Sequence, residues 1–220
     1  MKTCYIILTC EKYIPTRCEA VRTTWLQSVD DYYFLSSVPN PDRKILGWNT
    51  PDDYDSCSLK YIEFFKHETI DADWIVFCDD DTFVFPDRMS AMLSSLNPKE
   101  SLYIGYEFAG MKPPGGLSGG AGFVLSRECY LRLCDYIRGT KDVWESTYTD
   151  VSMRIWLLER MQGVKKIVDY RFHPDKCKSY EDFQTAITFH YITPEEMVKY
   201  HLKNSTMNRV KRPFRFSFLR

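Results

Sequence analysis

The sequence lacks the patterns that would place it in several common classes. Neither sign of charge dominates, since 29 Lys and Arg stand against 30 Asp and Glu for a formal net charge of -1. So balanced a chain has no basic field with which to hold nucleic acid, and no nucleic-acid partner is expected. Its eight cysteines form no CxxC pair, and no Cys/His group has the spacing of a zinc site. Cys4, Cys78 and Cys129 sit in apolar runs, where a thiol acts as a small hydrophobe, and disulfides stay unassigned. No apolar run is long enough to span a membrane, and "MKTCYIILTC" is too short for a signal peptide. Internal repeats and low-complexity segments are also missing, as are the Gly-Lys-Ser/Thr of a phosphate loop and the GxGxxG fingerprint.

What is present is a globular composition, 44% hydrophobic and 15% aromatic, in 220 residues that suffice for one substantial core. The first half alternates strand and helix signals. "CYIILTC", "YYFLSS" and "WIVFC" read as strands, the last a continuous apolar run of the kind buried on both faces of a parallel sheet. Between them "TRCEAVRTTWLQSV", with Thr16 as candidate N-cap, and "SCSLKYIEFFKHETI" carry apolar residues at helical spacing. "FPDRMSAMLSSL" follows as a helix, and the alternation predicts a βαβ arrangement. Later, "SLYIGYEF" reads as a strand, "RECYLRLCDYI" and "TDVSMRIWLLERM" as helices, and "TPEEMVKYHLK" as a helix capped by Thr193 with Pro194 at its first position. The expectation is one α/β domain with a Rossmann-like, mostly parallel central sheet flanked by helices. It has two halves, the nucleotide side first, over residues 1–95 and 96–205, with 206–220 a basic tail.

Chemistry gathers at four places. Asp79, Asp80 and Asp81 follow the apolar strand "WIVFC", whose C-terminal end in an α/β sheet faces the ligand crevice. On extended backbone Asp79 and Asp81 point to one side and Asp80 to the other, so the first two can meet one hard divalent cation. A solvated acidic turn, with Asp79 capping the next helix, is the structural alternative. "GGLSGGAGF" holds five glycines and permits close backbone approach to a ligand, as turns do for other reasons. Asp150 in "YTDVSMR" starts a helix, either as a cap or as a general base toward an attacking hydroxyl. His190 in "TFHYI" is either a satisfied core histidine or a metal ligand.

Taken in order, these pieces resemble the Fringe and core 1 β1,3-galactosyltransferase group of GT-A glycosyltransferases, from about residue 4 to 202. "DADWIVFCDDDTFVFPDRM", "SGGAGFVLS", Arg17 with Trp25 eight positions on, "DSCSLKYI" and "AITFHYITPEEMVKYHL" carry the resemblance. It implies a single GT-A domain using a UDP-sugar donor and Mn2+ or Mg2+. Asp79, Asp81 and His190 would hold the metal. Thr9, Arg17, Lys60, Asp80, Gly119, Gly120 and Ala121 would bind the nucleotide sugar, and Asp150 would be the catalytic base. Thr149 and Arg154 stand where the family carries a second acid and a glycine. Family members are usually lumenal and membrane-anchored. No anchor is expected here, and the compartment is left open between cytoplasmic, viral and a domain of a longer polypeptide.

The expected function is metal-dependent transfer of a hexose, such as galactose, glucose or N-acetylglucosamine, to a hydroxyl of a glycan or glycoprotein, with inversion. The alternatives are a retaining transferase, a non-catalytic nucleotide-sugar- or carbohydrate-binding module on the same fold, and a metal-dependent nucleotidyltransferase or phosphatase. Trp48, Trp144 and Tyr148 are candidate acceptor-site aromatics. The basic tail reads as a solvated end or the start of a linker to a further domain, with weak membrane contact through the interleaved Phe214, Phe216 and Phe218 as the alternative.

Overall fold

The computed structural model describes residues 1–211 apart from Met111 and Pro113. The basic stretch from Arg212 to Arg220 therefore lies outside the described residues, and with it the expected membrane or domain contact. Residues 206–211, expected as tail, instead continue the last helix.

Strands β1 (Thr3–Leu8), β2 (Tyr32–Leu35), β3 (Ile45–Leu46), β4 (Trp74–Asp79), β6 (Leu102–Gly105), β7 (Phe123–Ser126) and β8 (Lys165–Val168) form one sheet in the order β3-β2-β1-β4-β7-β6-β8. All neighbours are parallel except at β7, which runs antiparallel to both β4 and β6. The sheet crosses the boundary between the two expected halves without interruption.

The continuous apolar runs make sense because both sheet faces are covered. Along β1, Tyr5 and Ile7 enter one core while Cys4, Ile6 and Leu8 enter the other. Along β4, Trp74, Val76 and Cys78 join the first core and Ile75 and Phe77 the second. Period-two alternation thus feeds two hydrophobic layers, so neither set of side chains remains in water. The first layer receives residues of helices α1 (Glu19–Thr23), α3 (Pro86–Leu93), α6 (Tyr180–Thr185) and α7 (Pro194–Lys211). The second receives α2 (Cys57–His67), α4 (Arg127–Gly139) and α5 (Thr149–Arg154).

A small sheet, β5 (Phe83–Val84), β10 (Thr188–Phe189) and β9 (Phe172–His173), is ordered β5-β10-β9. Phe189 pairs with Phe83 in antiparallel register, and the Ile192 N–H donates to the Asp81 carbonyl at 2.9 Å. This pairing brings the C-terminal third of the chain to the end of β4.

Several local expectations change. Thr16 is no N-cap. The turn already begins at Glu11, and wide turns over Ile14–Cys18, with Pro15 in the first of them, lead into α1. The helix expected over 149–161 is α5 followed by a π-type segment, Ile155–Arg160. β3 escaped notice because two residues show no periodicity, and β8 because its lysines mask a half-buried edge strand. Thr193 does cap α7. The Glu196 N–H donates to its hydroxyl at 3.3 Å, and the Thr193 N–H donates to the Glu196 carboxylate at 2.9 Å, a capping box. All eight cysteines are free thiols. No helix among the described residues is long and apolar enough to cross a membrane.

Candidate active site

The β1–β4 ladder aligns Leu8 with Asp79, and the Asp80 N–H extends it by donating to the Leu8 carbonyl at 3.0 Å. Neighbouring strand β2 lies on the other side of β1, so the carboxyl ends of β1 and β4 flank the point where the chain order reverses. Crevices in open α/β sheets form at such points. β4 ends at Asp79, and Asp80 and Asp81 lie in a turn that the Thr82 N–H closes by donating to the Asp79 carbonyl at 3.1 Å, so this turn, not the expected strand alternation, separates Asp80 from the other two.

Asp80 turns inward and is 4% exposed. Thr9 Oγ1 donates to one of its oxygens at 2.7 Å and Arg17 Nη1 to the other at 3.0 Å. Arg17 also reaches Asp81 at 3.1 Å, and its guanidinium lies over the Tyr13 ring, 4.0 Å from the centroid. Burial pushes the Asp80 carboxyl up, and the Thr9 and Arg17 hydrogen bonds only partly offset this.

Asp79 and Asp81 point the other way, toward His190. His190 Nε2 lies 3.2 Å from Asp81 and 3.8 Å from Asp79, and one ligand atom from each of the three falls within 4.8 Å of the others. Burial, opposed by His190 and reinforced by Asp81, Asp80 and Asp150, pushes Asp79 up to about 7. Burial would raise Asp81 and lower His190, but their mutual hydrogen bond and charges reverse both shifts, and Arg17 adds to the lowering at Asp81. Two carboxylates and an imidazole, drawn together despite like-charge repulsion, are a donor set that suits Mn2+ or Mg2+.

The glycine loop is fitted against this cluster. A Cβ at Gly120 would lie 2.1 Å from His190 Cε1, so no larger residue can stand there without displacing the imidazole. Gly122 has φ +79°, a left-handed conformation that glycine adopts freely. Thr82 Oγ1 donates to the Gly120 carbonyl at 2.8 Å and Thr188 Oγ1 to the Ala121 carbonyl at 2.6 Å. Both threonines adjoin the strands that carry the cluster, and sequence reasoning missed them. The only signal was a hydroxyl directly after the third aspartate. The Tyr191 ring lies tilted at 30° to that of His190 with centroids 3.8 Å apart, and Tyr191 holds φ +60°, which a residue with a Cβ seldom adopts.

Asp150 opens α5, and its carboxylate accepts from the Val151 N–H at 2.8 Å. Burial pushes it up, against the pull of the Val151 and Gly119 N–H groups. Asp79, His190, Gly119, Gly120 and Asp150 line one cavity of about 490 Å3. Ala121 is fully buried and does not line it.

Lys60 stands apart from the cavity. At 1% exposure it donates to the Thr9 carbonyl at 2.9 Å and to Asp52 at 2.7 Å. Asp52 also accepts from Ser37 Oγ at 2.7 Å and from the Glu11 N–H at 2.8 Å. Burial would raise this carboxyl, but the Lys60 and Ser37 hydrogen bonds hold it below its usual range. The pair ties together the segments after β1 and β2, and Asp52 gave no sign in the sequence. Of the candidate aromatics, Tyr148 lines the cavity and Trp144 does not. Trp48 lines a separate hollow of about 260 Å3 beside β3 and stacks on His67.

The family model described as Fringe-like matches residues 3–219. Among curated proteins, the chain is 27% identical to glycoprotein-N-acetylgalactosamine 3-beta-galactosyltransferase 1 of Xenopus laevis, over 90% of this chain and 66% of that protein. It is 31% identical to human beta-1,3-glucosyltransferase over 58% of this chain and 27% of that one. Human chondroitin sulfate synthase 3 is 24% identical over 80% of this chain and 22% of its own length. The chain thus spans under two thirds of these larger relatives, and only about a quarter of two of them. Among solved structures, galactosyltransferase LgtC with donor and acceptor sugar analogs superposes with TM-score 0.53 at 13% identity, over 90% of this chain and 95% of that one. The glycosyltransferase GlyE of Streptococcus pneumoniae TIGR4 gives 0.53 at 12% identity over 97% and 65%. The fold is therefore that of the GT-A glycosyltransferases.

Proposed function

The chain belongs to the Fringe-like family, and from that premise we propose that it is a metal-dependent glycosyltransferase. It moves a hexose from a UDP-sugar to a hydroxyl of a glycan or glycoprotein acceptor. The observation that carries this reading is the cluster of Asp79, Asp81 and His190, of which Asp79 and His190 line one cavity together with Asp150.

Asp79, Asp81 and His190 would hold Mn2+ or Mg2+, which would supply positive charge against the diphosphate. Thr9 and Arg17, fixed by Asp80 at the ends of β1 and β4, lie on the nucleotide side. Lys60 acts there indirectly, by holding the Thr9 backbone. Gly119 and Gly120 line the cavity where the donor sugar would lie, Gly120 leaving room for the His190 imidazole, and Ala121 is buried behind them. Asp150 accepts the proton of the acceptor hydroxyl as that oxygen bonds to the anomeric carbon. The bond from that carbon to the diphosphate oxygen breaks, its electron pair leaves with UDP, and the configuration inverts. Burial that raises Asp150 makes its carboxylate the stronger base.

The test is a thermal screen of UDP-galactose, UDP-glucose and UDP-N-acetylglucosamine with and without Mn2+, with slow donor hydrolysis and product anomer as second readouts. A ligand bound only by the native state stabilises it by about 2.7 kcal/mol at a hundred times Kd. We expect at least one UDP-sugar to raise Tm, and only with Mn2+. No shift from any of them would overturn the reading, and a product that keeps the donor configuration would replace inversion with retention. One observation favours a binding-only module, namely Thr149 in place of a second acid. Donor binding without transfer to any acceptor would establish it.

Metal affinity should also depend on pH. Asp79 titrates at about 7 and His190 above its ordinary value, so both hold protons in mild acid. A cation must displace them, so Mn2+ affinity falls as pH drops through and below that range and rises above it. Calorimetry in buffers of different ionisation enthalpy should show proton release near neutrality, and a flat pH profile would contradict this.

A further inference from the structure

Resting on the transferase reading, we propose that Tyr54 and Tyr148 form the subsite on which a pyranose ring of the acceptor stacks. They thereby select an acceptor that offers its hydroxyl on a sugar ring. Tyr54 lies in the short turn before α2 and is 74% exposed, while Tyr148 directly precedes α5 and is 54% exposed. Distant in sequence, they meet edge to face with centroids 6.3 Å apart and planes at 72°, and both line the cavity. Neither ring packs into a core, and both leave aromatic surface open at the edge of the cavity for a ligand to cover.

Their position decides which substrate they serve. The Tyr148 carbonyl accepts from the Ser152 N–H at 3.1 Å, which fixes Tyr148 to the first turn of the helix that carries Asp150. A ring resting on Tyr148 is therefore delivered to the base, and only the acceptor needs the base. Partial burial and the nearby charges of Asp79 and Asp150 raise the Tyr54 phenol, in keeping with its place beside both carboxylates. A pyranose matches this corner because one of its faces is a sheet of C–H groups. Their hydrogens are weakly positive and complement the negative face of an aromatic ring, while the hydroxyls at the rim stay free for Asp150. A peptide serine or threonine presents no such disc. Uracil would stack as well, and if it does, the loss in the alanine variants falls on UDP and not on the pyranoside.

The experiment is saturation-transfer NMR on the full chain with UDP and Mn2+. The probes are the methyl pyranosides of glucose, galactose and N-acetylglucosamine, with N-acetyl-threonine methylamide as a hydroxyl lacking a sugar ring. Ring C–H protons of at least one pyranoside should saturate, and those of the threonine derivative should not. Kd should rise at least about fivefold in Tyr54→Ala and in Tyr148→Ala and stay near wild type in Tyr148→Phe. The Tm shift given by UDP with Mn2+ should be the same in every variant. Three results would each overturn the subsite: a wild type that binds UDP with Mn2+ but no pyranoside, alanine variants with unchanged pyranoside affinity, or a loss that falls on UDP instead. A wild type without any Mn2+-dependent UDP shift would instead remove the transferase reading beneath it.

Discussion

Asp150→Asn is expected to slow transfer by about 10²- to 10⁴-fold, the usual worth of a positioned general base, with UDP-sugar binding unchanged. The amide is nearly isosteric and its oxygen still accepts the Val151 N–H, so α5 keeps its first turn. What disappears is the ability to take a proton from the acceptor oxygen. An interaction made only in the transition state lowers kcat and kcat/KM together, and leaves the donor's dissociation constant alone. The measurement is kcat at saturating donor and acceptor beside the Mn2+-dependent Tm shift of the same variant. The pH profile gives a second check. Because burial raises the Asp150 carboxyl, the acid limb of kcat should lie above the ordinary carboxylate range and vanish in the variant. Undiminished turnover would rule out the base, whatever becomes of the fold.

Asp81→Ala is expected to weaken Mn2+ binding by more than about 100-fold and to remove metal-dependent transfer with it. Losing a partner that merely supports a ligand already costs 10- to 100-fold in affinity, and Asp81 is itself a proposed ligand. It also accepts from Arg17 and holds His190 at 3.2 Å, so its loss leaves the imidazole without its nearer carboxylate. Arg17 keeps Asp80, which confines the damage to the cavity side of the strand. Mn2+ titration followed by electron paramagnetic resonance reads the affinity directly, without an acceptor. Full metal-dependent transfer by this variant would sink the metal role.

Both predictions begin from residues that stood out in the sequence, and it is instructive where that reading stopped. The apolar runs of β1 and β4 were legible because strands buried on both faces need no polar positions. The separation of Asp80 from Asp79 and Asp81 was expected from alternation along a strand, whereas a turn at Asp80 and Asp81 produces it. The glycine loop, Asp150 and His190 were visible as candidates, each beside a structural alternative, and for His190 the satisfied core histidine was the favoured one. Short strands such as β3, and the lysine-masked edge strand β8, carried too little periodicity to register. Lys60 entered as a nucleotide contact on resemblance, whereas in the folded chain it is buried against Asp52 and the Thr9 carbonyl.

By itself, then, the sequence determined the α/β class and the strand that ends in carboxylates. These depend on backbone geometry and on burial patterns that repeat every few residues. Only the tertiary structure decided that His190 closes on Asp81, that Gly120 must lack a side chain beneath it, and that Tyr54 meets Tyr148 beside Asp150. Those contacts join segments far apart along the chain. They are fixed by the pairing of β10 with β5 and by packing on the shared sheet, which no local pattern encodes.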